Sequence, residues 1–338
     1  MPERPRLTPA MADVRRAVRE CWDAVGVEPG QLVLTACSGG ADSLALAAAV
    51  AFEGKRAGVQ VGAVIVEHGL QEETAEVAKR TEAVLRGLGL DPVLVLPVSV
   101  DIAAGTGVEA AARTARYAAL EQAAQGTAAR FVLLGHTLND QAETVLLGLT
   151  RGSGGRSLAG MDLRNGIYLR PLLGLTRATT EAFCVDSGLE FWQDPHNVDP
   201  SYTRVRIRQQ VLPVLEEQLG PGVAQALART ADTLREDADL LDALAREQFE
   251  LLATVRATDV VLDCKLLEPL AAALRHRCYQ LALQVLSAPS SRAQLLGIDA
   301  LVTNFHGQQA LALAGVRVER TNGQLLFRLT KNFRPGAC

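Results

Sequence analysis

The feature that most constrains this fold is a short glycine-containing loop between an apolar run and a helical segment. Residues 31–37 are mostly apolar, residues 38–43 read Ser-Gly-Gly-Ala-Asp-Ser, and residues 44–52 are almost wholly Ala, Leu and Val. This pattern predicts a strand, a tight loop and a helix. Glycines let the backbone approach a ligand, and a helix start offers unpaired N–H groups, so the loop suits a phosphate. The alternative is an ordinary turn with Asp42 or Ser43 as N-cap.

The same strand and helix alternation recurs along the first half of the chain. Strand-like runs lie at 32–36, 61–66, 93–98 and 131–134, and a helical segment follows each of them. Such alternation predicts an α/β fold with a parallel sheet and right-handed crossovers. Ligands of open parallel sheets bind beyond the carboxyl ends of the strands. We therefore expect one site at that edge, built from the loop, Glu67-His68 and Gly135-His136.

The second half of the chain has a different pattern. From residue 222 onward long amphipathic helices dominate, followed by a helical stretch at 265–286 and an alternating segment at 310–329 with Asn322-Gly323 as a hairpin turn. A chain of 338 residues has room for two domains. We predict a catalytic domain over 1–220 and a smaller, mainly helical α+β domain over 221–338.

Composition argues against several classes of protein. The apolar run at 44–52 is too short to cross a bilayer and the N-terminus lacks a signal-peptide core, so no membrane association and a cytoplasmic location are expected. The six cysteines form no CxxC pair, and the five histidines have no metal-ligand spacing with them. The net charge of −4 argues weakly against a nucleic-acid partner, but arginines cluster at 151–177, 204–208 and 317–334. Such patches either bind a phosphate backbone or are simply solvated.

Three further motifs carry polar residues whose role has more than one interpretation. His68 at a strand end is either a capping or a catalytic residue. Arg113 near a helix start could clamp a phosphate or lie on a solvated face. Asp140 and Glu143 stand three residues apart near another helix start, on one face and at the positive end of the helix dipole. They could hold an ammonium group or a metal, or form a plain acidic first turn.

Taken together, the motifs resemble those of the PP-loop ATP pyrophosphatases, and among them the tRNA(Ile)-lysidine synthases. The resemblance runs from about residue 31 to 208 in one order: SGGADS (38–43), HGL (68–70), EAAAR and RY (109–117), GHTLNDQAETVLL (135–147), RGSG (151–154), LAGM (158–161), RPLL (170–173), and the stretch from Asp194 to Arg208. It implies that ATP adenylates the C2 oxygen of the wobble cytidine in an isoleucine tRNA with a CAU anticodon. The ε-amine of L-lysine then displaces AMP and forms lysidine.

The resemblance also implies roles for individual residues. It implies that ATP is bound by Ser38, Gly39, Gly40, Ala41, Asp42, Ser43, His68 and His136, with Mg²⁺ held at Asp42. Arg113 would offset the charge of the leaving pyrophosphate, and Asp140 and Glu143 would hold the lysine amine, so the implied catalytic residues are Asp42, Arg113, Asp140 and Glu143. We expect tRNA contacts from Arg151, Arg156, Arg204, Arg206 and Arg208. A homodimer is possible.

Asn139 is the departure from the family pattern that matters most, because an aspartate usually stands there. Glu67, Gln71 and Val205 also differ from the usual residues. If the missing carboxylate supports Mg²⁺ or adenylation, the chain would be a catalytically impaired PP-loop tRNA-binding protein. The amide could still accept a hydrogen bond or cap the helix. A PP-loop tRNA thiolation enzyme is the other alternative, but it would normally need a cysteine pair, and an amidotransferase-linked enzyme would need a glutaminase.

Overall fold

The fold is taken from a computed structural model, which describes residues 7–67, 72–98, 108–151, 154–194 and 198–330. The chain divides into two compact units, Met1–Thr233 and Leu234–Cys338. This division falls inside a long helix, Val223–Leu252. The domain boundary at residue 221 stays a prediction.

The first unit is built on a sheet whose described strands number six. They are β1 (Leu32–Ala36), β2 (Gln60–Glu67), β3 (Val93–Pro97), β4 (Phe131–Leu133), β5 (Arg164–Asn165) and β6 (Tyr168–Leu169). Their order is β3-β2-β1-β4-β6-β5. All neighbouring pairs are parallel except β5 and β6, which form an antiparallel edge. The predicted parallel sheet and the α/β class are confirmed.

Helices pack on both faces of this sheet. The helices of the chain as far as the division between the units are α1 (Pro9–Val25), α2 (Ala41–Ala57), α3 (Glu72–Gly87), α4 (Val108–Thr127), α5 (Leu138–Thr150), α6 (Gly155–Leu158), α7 (Arg177–Asp186), α8 (Thr203–Arg206), a π-helical turn (Ile207–Val211), α9 (Leu212–Leu219) and α10 (Val223–Leu252), which crosses it. Val33 of β1 packs in the core beneath α1, α2 and α7, and its neighbour Leu34 packs in the core beneath α4. Because both faces are buried, the strands are apolar throughout rather than alternating.

The site edge follows from this topology. From β1 the chain continues to β2 and β3 on one side, and then returns to β4 on the other side of β1, where Thr35 is paired with Leu133. The strand order thus reverses between β1 and β4, and in such sheets a crevice opens there at the carboxyl ends of the strands. The loop at 38–43 and the segment at 135–137 both begin at that crevice.

A small apolar cluster supports the helix that carries the predicted acidic pair. Leu138 and Ala142 of α5 pack in one cluster with Ile207, and with Ala224 and Ala228 of α10. The inner side of α5 is thus held by residues that follow it by more than sixty positions in the chain. The opposite side of α5, which carries Asp140, faces the crevice.

The second unit combines helices with an antiparallel sheet. Its elements after α10 are β7 (Ala253–Val255), β8 (Asp259–Asp263), α11 (Cys264–Leu267), α12 (Ala272–Val285), α13 (Arg292–Thr303), β9 (Leu311–Leu313), β10 (Val316–Thr321) and β11 (Gln324–Leu329). The strand order is β7-β8-β11-β10-β9. The predicted hairpin is confirmed, since Asn322 and Gly323 join β10 to β11 with φ of 53° and 74°. The helical stretch predicted at 265–286 consists of two helices, because Pro269 has no N–H and separates α11 from α12.

Across the described residues, every helix is too short or too polar to span a bilayer.

Candidate active site

The loop at 38–43 is closed by its own side chains. Ser43 Oγ donates to the Gly40 carbonyl at 2.9 Å and accepts the Ser38 N–H at 3.2 Å. The Gly39 carbonyl accepts the Trp192 N–H at 2.9 Å, which ties the loop to a distant segment. Because α2 begins at Ala41, the N–H groups of its first turn have no partner within the helix. The loop is a preformed site for an anion.

A side chain at position 39 would strain the loop. Its φ is +84°, and a Cβ there would lie 2.6 Å from Oγ1 of Thr81. We expect Gly39→Ala to weaken binding of an ATP analogue about tenfold, equivalent to about 1.4 kcal/mol. The matched control is Gly30→Ala, because Gly30 has a φ of +83° but no atom within 4 Å of such a Cβ. Calorimetric titration of both variants checks this, and equal affinities would contradict it.

A cavity of about 410 Å³ opens beside the loop, within the size range of small-molecule sites. We call it the nucleotide cavity. Its walls include Ser38, Gly40, Ala41, Asp42, Ser43, Arg116, His136, Asp140, Arg177, Trp192 and Arg208. Six of the eight predicted ATP-binding residues thus line one cavity: five from the loop, and His136. Gly39, the seventh, lies in the same loop. His68 lies outside the described residues.

Five charged side chains are linked by ion pairs, and we call them the charged cluster; four of them line this cavity, and Glu143 lies buried behind Arg208. Arg177 lies between two carboxylates, with Nε 3.2 Å from Asp42 Oδ2 and Nη2 3.3 Å from Asp140 Oδ1. Arg208 lies between Asp140 and Glu143, with Nη2 3.4 Å from Asp140 Oδ1 and Nε 2.7 Å from Glu143 Oε1. A second contact of 3.2 Å joins Arg208 Nη2 to Glu143 Oε2. Three negative and two positive groups leave the cluster one negative charge.

The two predicted lysine-binding carboxylates differ in their proton affinity. Burial raises the pKa of Glu143, whose side chain has no exposed surface, and its pair with Arg208 opposes that effect only in part. For Asp140, burial also acts to raise the pKa, but Arg177, the Thr137 N–H and other positive neighbours outweigh it and hold the pKa below its usual value. Glu143 is therefore the better proton acceptor of the two.

Asp140 divides its two oxygens between structure and site. Oδ2 accepts the Thr137 N–H at 2.8 Å and the Thr137 hydroxyl at 2.9 Å, which caps the start of α5. Oδ1 faces Arg177 and Arg208. The cap and the ligand-site interpretations of this residue are thus compatible, because each uses a different oxygen.

Asp42 has the surroundings that a magnesium ligand needs. Its carboxylate lies at the start of α2, its side chain is 21% exposed, and it contacts Arg177 and the Thr180 hydroxyl. Burial raises its pKa, while Arg177 and Thr180 act in the opposite direction. Magnesium is commonly held by one or two carboxylates together with substrate phosphates. The described residues contain no group of three His, Cys, Asp or Glu ligands, so a metal at Asp42 would need further ligands from bound phosphates.

Sequence reasoning missed Arg177 and Thr180. Arg177 is the first residue of α7, which follows strand β6. The rule that ligands meet the carboxyl ends of parallel strands applies to this strand too, so the signal was available. Asn139 also acquires a role here, since its Oδ1 accepts the Arg177 backbone N–H at 3.0 Å. Position 139 thus supplies a hydrogen-bond acceptor to the start of α7.

A second, basic cavity of about 230 Å³ adjoins the nucleotide cavity. It is lined by Ala112, Arg113, Arg116, Tyr117, Leu134, His136 and Arg204, and it shares Arg116, Leu134 and His136 with its neighbour. Arg113 therefore lies in the basic cavity, with its guanidinium over the Tyr117 ring, whereas Arg116 reaches both cavities. Burial and the nearby arginines depress the pKa of His136, so its imidazole is neutral.

The predicted tRNA arginines separate in space. Arg204 lines the basic cavity, and Arg208 belongs to the charged cluster. Arg206 donates to the carbonyls of Pro200 and Ser201 at 2.7 and 2.8 Å, which secures the loop before α8. Arg151 and Arg156 are exposed at the end of α5 and in α6. Their contacts with tRNA stay predictions.

A phosphate-binding loop at the carboxyl edge of a parallel sheet, with an ATP-sized cavity beside it, defines a PP-loop ATP-binding protein, and residues 12–215 match the PP-loop domain family. The chain is 56% identical over 301 residues to the tRNA(Ile)-lysidine synthase of Leifsonia xyli subsp. xyli, covering 88% of this chain and 90% of that protein. It is 48% identical over 322 residues to the tRNA(Ile)-lysidine synthase of Thermobifida fusca, covering 94% and 97%. The chain belongs to the tRNA(Ile)-lysidine synthase family, and it is an enzyme.

Solved structures agree with the fold. The U34-tRNA thiolase NcsA from Methanococcus maripaludis, with its [4Fe-4S] cluster, superposes with a TM-score of 0.56. Its sequence is 16% identical, and the match covers 67% of this chain and 79% of that chain. At this identity the similarity establishes the fold alone.

Proposed function

We propose that this enzyme joins L-lysine to C2 of the wobble cytidine of an isoleucine tRNA with a CAU anticodon, consuming ATP and releasing AMP and pyrophosphate. The observation that carries the proposal is the position of Asp140, which lines the same cavity as the loop at 38–43 and is joined through Arg208 to the buried Glu143, so that two carboxylates lie within reach of one bound ammonium. The name of the curated relatives supports the tRNA substrate.

The first half of the reaction uses the loop. We assign the pyrophosphate of ATP to the N–H groups of residues 39–43, because the Ser38 N–H already donates to Ser43 Oγ, and we assign Mg²⁺ to Asp42. When bound, Mg²⁺ would neutralise charge on the phosphates. Donors that are already oriented stabilise the departing pyrophosphate without reorganisation. Arg116, rather than Arg113, has the geometry to contact a nucleotide here, because only Arg116 lines both cavities.

We assign the wobble nucleotide to the basic cavity. Arg113, Arg116 and Arg204 provide positive charge for its phosphates, and Tyr117 provides an aromatic ring for its base. The neutral His136 lies at the junction of the two cavities, where it can accept or donate a hydrogen bond. The junction is where the cytidine oxygen would meet the activated phosphate.

The second half needs a neutral amine. The lysine ε-amine has a pKa near 10.4, so deprotonating it near neutral pH costs roughly 4.6 kcal/mol. Asp140 Oδ1 and Glu143 would bind the ammonium in competition with Arg208, which contacts both. Because burial raises the pKa of Glu143, we assign the proton transfer to this residue.

Cysteine chemistry argues against thiolation. The five described cysteines are all buried, and burial raises the pKa of Cys21 and Cys184 to about 12. A thiol in such surroundings is not a nucleophile at neutral pH. The alternative of an impaired enzyme rests on Asn139, and the contact of its Oδ1 with the Arg177 N–H needs only an acceptor, which an amide supplies as well as a carboxylate.

We propose that the second unit contributes to tRNA recognition through the exposed face of its sheet. Arg317 of β10 is paired directly with Arg328 of β11, and both are exposed. Glu319 lies 3.5 Å from Arg317, and Asp259 is the cross-strand partner of Arg328 on its other side, so acidic neighbours offset part of the repulsion between the two arginines. A phosphate would bind both arginines in competition with these carboxylates. Arg320 points to the other face, where it donates to the carbonyls of Leu301 and Val302 at 3.0 Å and acts structurally.

The double variant Arg317→Ala with Arg328→Ala is expected to bind tRNA with a weaker salt dependence. Each lost phosphate contact should reduce the slope of log affinity against log salt by about one, and therefore by about two in total. Arg16→Ala is the control, because Arg16 is similarly exposed and pairs with Asp13 on α1. Filter-binding titrations at several salt concentrations give the slopes. Slopes that match the control would contradict the proposal.

Incorporation of labelled lysine into CAU-anticodon isoleucine tRNA tests the proposed function. We expect incorporation that requires ATP and is lost when the wobble cytidine is replaced. If ATP and tRNA bind but lysine is never incorporated, the impaired-enzyme alternative is correct and Asn139→Asp becomes the next variant. The homodimer and the cytoplasmic location stay predictions.

A further inference from the structure

The peptide that joins Gly39 to Gly40 is held by a donor from outside the loop at 38–43. The Gly39 carbonyl accepts the Trp192 N–H at 2.9 Å. The Gly40 carbonyl accepts instead from its own turn, from Ser43 Oγ at 2.9 Å and the Leu44 N–H at 3.0 Å. The peptide after Gly40 is therefore oriented by α2 itself, whereas the Gly39–Gly40 peptide depends on a residue far along the chain.

The bond from Trp192 also fixes the direction of the Gly40 N–H. The carbonyl and the N–H of a trans peptide point to opposite sides of the chain, so the Gly40 N–H points away from Trp192. It has no acceptor in the part of the chain that the structure describes, and Gly40 lines the nucleotide cavity. It is one of the donors that we assign to the pyrophosphate of ATP.

Glycine on both sides leaves this peptide with little orientation of its own. A half-turn of the peptide plane would carry φ of Gly40 from −76° into the positive region. Glycine adopts that region at little cost, whereas a residue with a Cβ does not. The turned peptide would present the Gly39 carbonyl oxygen to a bound anion in place of the Gly40 N–H. Because the turn also breaks the bond to Trp192, that bond opposes it.

The segment that presents the Trp192 N–H is itself fixed. Leu189 and Phe191 pack against the core cluster that includes residues of α1, α2 and α7. The Leu189 N–H donates to the Cys184 carbonyl of α7 at 2.9 Å. The core of the first unit thus holds the donor in place beside the loop.

We infer that the backbone N–H of Trp192 is a positioning group for pyrophosphate, because it holds the Gly39–Gly40 peptide with the Gly40 N–H directed toward the anion. The inference rests on the proposed function, which takes the loop N–H groups as the pyrophosphate donors. A donor that is oriented beforehand stabilises the leaving group without reorganisation. The role belongs to the backbone at position 192 and not to the indole ring.

An ester bond at position 192 tests the inference. Replacing Trp192 by the α-hydroxy acid with the same side chain keeps the indole ring and exchanges the N–H for an oxygen, which cannot donate. Calorimetric titration of the whole protein with inorganic pyrophosphate and Mg²⁺ gives the dissociation constant. We expect the ester to weaken binding about fivefold, the effect of one hydrogen bond. The same exchange at Leu189 is the matched control, since it removes a bond of equal length outside the loop and should leave the affinity unchanged.

The Gly40→Ala variant tests the turned peptide directly. A Cβ at position 40 would lie 3.7 Å from Ser38 Oγ and 3.9 Å from the Trp192 carbonyl oxygen, which are ordinary contacts. Because alanine disfavours the positive φ of the turned peptide, the Trp192 ester should weaken binding less than about twofold in the Gly40→Ala background.

The outcomes separate the inference from the function on which it rests. An unchanged affinity in the Trp192 ester, an equal loss in the Leu189 ester, or the same loss with Gly40 and with Gly40→Ala would each overturn the inference. If the unmodified protein binds no pyrophosphate, the assignment of pyrophosphate to the loop at 38–43 is wrong instead.

Discussion

Replacing Asp42 by Asn is expected to lower ATP-dependent pyrophosphate release about 100-fold or more, which corresponds to about 2.7 kcal/mol of transition-state stabilisation. The amide keeps the size of the side chain, and its single oxygen can still accept from Arg177, but its NH₂ group cannot accept from the Thr180 hydroxyl and the side chain lacks the charge that a hard divalent cation requires. Release should recover in part at high Mg²⁺, because the phosphates retain their own affinity for the ion.

The matched control is Asp186→Asn, because Asp186 is the last residue of α7, at the opposite end from Arg177 and Thr180. Asp186 accepts from the Thr8 hydroxyl at 2.6 Å and is exposed. Its variant should release pyrophosphate at the unmodified rate. Assays with tRNA, ATP and a Mg²⁺ titration separate the two variants. A rate for Asp42→Asn within threefold of the control at limiting Mg²⁺ would rule out Asp42 as the metal ligand.

The second large effect is expected for Glu143→Gln, which should impair the lysine step and spare adenylation. Loss of the carboxylate removes both an ammonium partner and the proposed proton acceptor, so we expect lysine-dependent turnover to fall about 100-fold or more. Pyrophosphate release should change only a few-fold, because Glu143 does not contact Asp42 or the loop. The variant should also lose about 1.5–3 kcal/mol of stability, since a charge-assisted pair with Arg208 is broken.

Glu53→Gln separates stability from function in this comparison. Glu53 is a carboxylate on α2 with 2% exposure, paired with Arg19 and Arg56. Its replacement should lower the melting temperature without altering the kinetics with lysine. Thermal unfolding and lysine titrations on both variants give the comparison. If Glu143→Gln lowers pyrophosphate release as much as lysine transfer, the separate assignment of the two carboxylates is wrong.

Local patterns predicted the parts of the site that depend on local geometry. The strand, loop and helix at 31–52 could be predicted from the local pattern, whereas the choice of a phosphate loop over an ordinary turn at 38–43 rests on the resemblance to the PP-loop family. Asp140 and Glu143 could be paired because helical periodicity alone places positions three apart on one face. The structure brings both to Arg208 as that periodicity requires.

Contacts between distant segments could not be predicted in the same way. The pair of Arg177 with Asp42 joins residues 135 positions apart, and no pattern in either segment specifies it. Arg113 and Arg116 show a subtler difficulty. Both lie on α4, and the rotation of that helix against the sheet decides which of them reaches the nucleotide cavity. That rotation depends on packing of residues such as Leu120 and Ala124, which sequence spacing does not resolve.

The helix that crosses the division between the two units has a practical consequence for fragments of this chain. Ala224 and Ala228 pack against Leu138 and Ala142, on the inner side of the helix that carries Asp140 and Glu143. A protein truncated at residue 220 would keep every proposed catalytic residue but would lose Ala224 and Ala228, which pack behind α5. A catalytic fragment should therefore extend beyond residue 233, so that it keeps Ala224 and Ala228 behind the proposed lysine-binding pair.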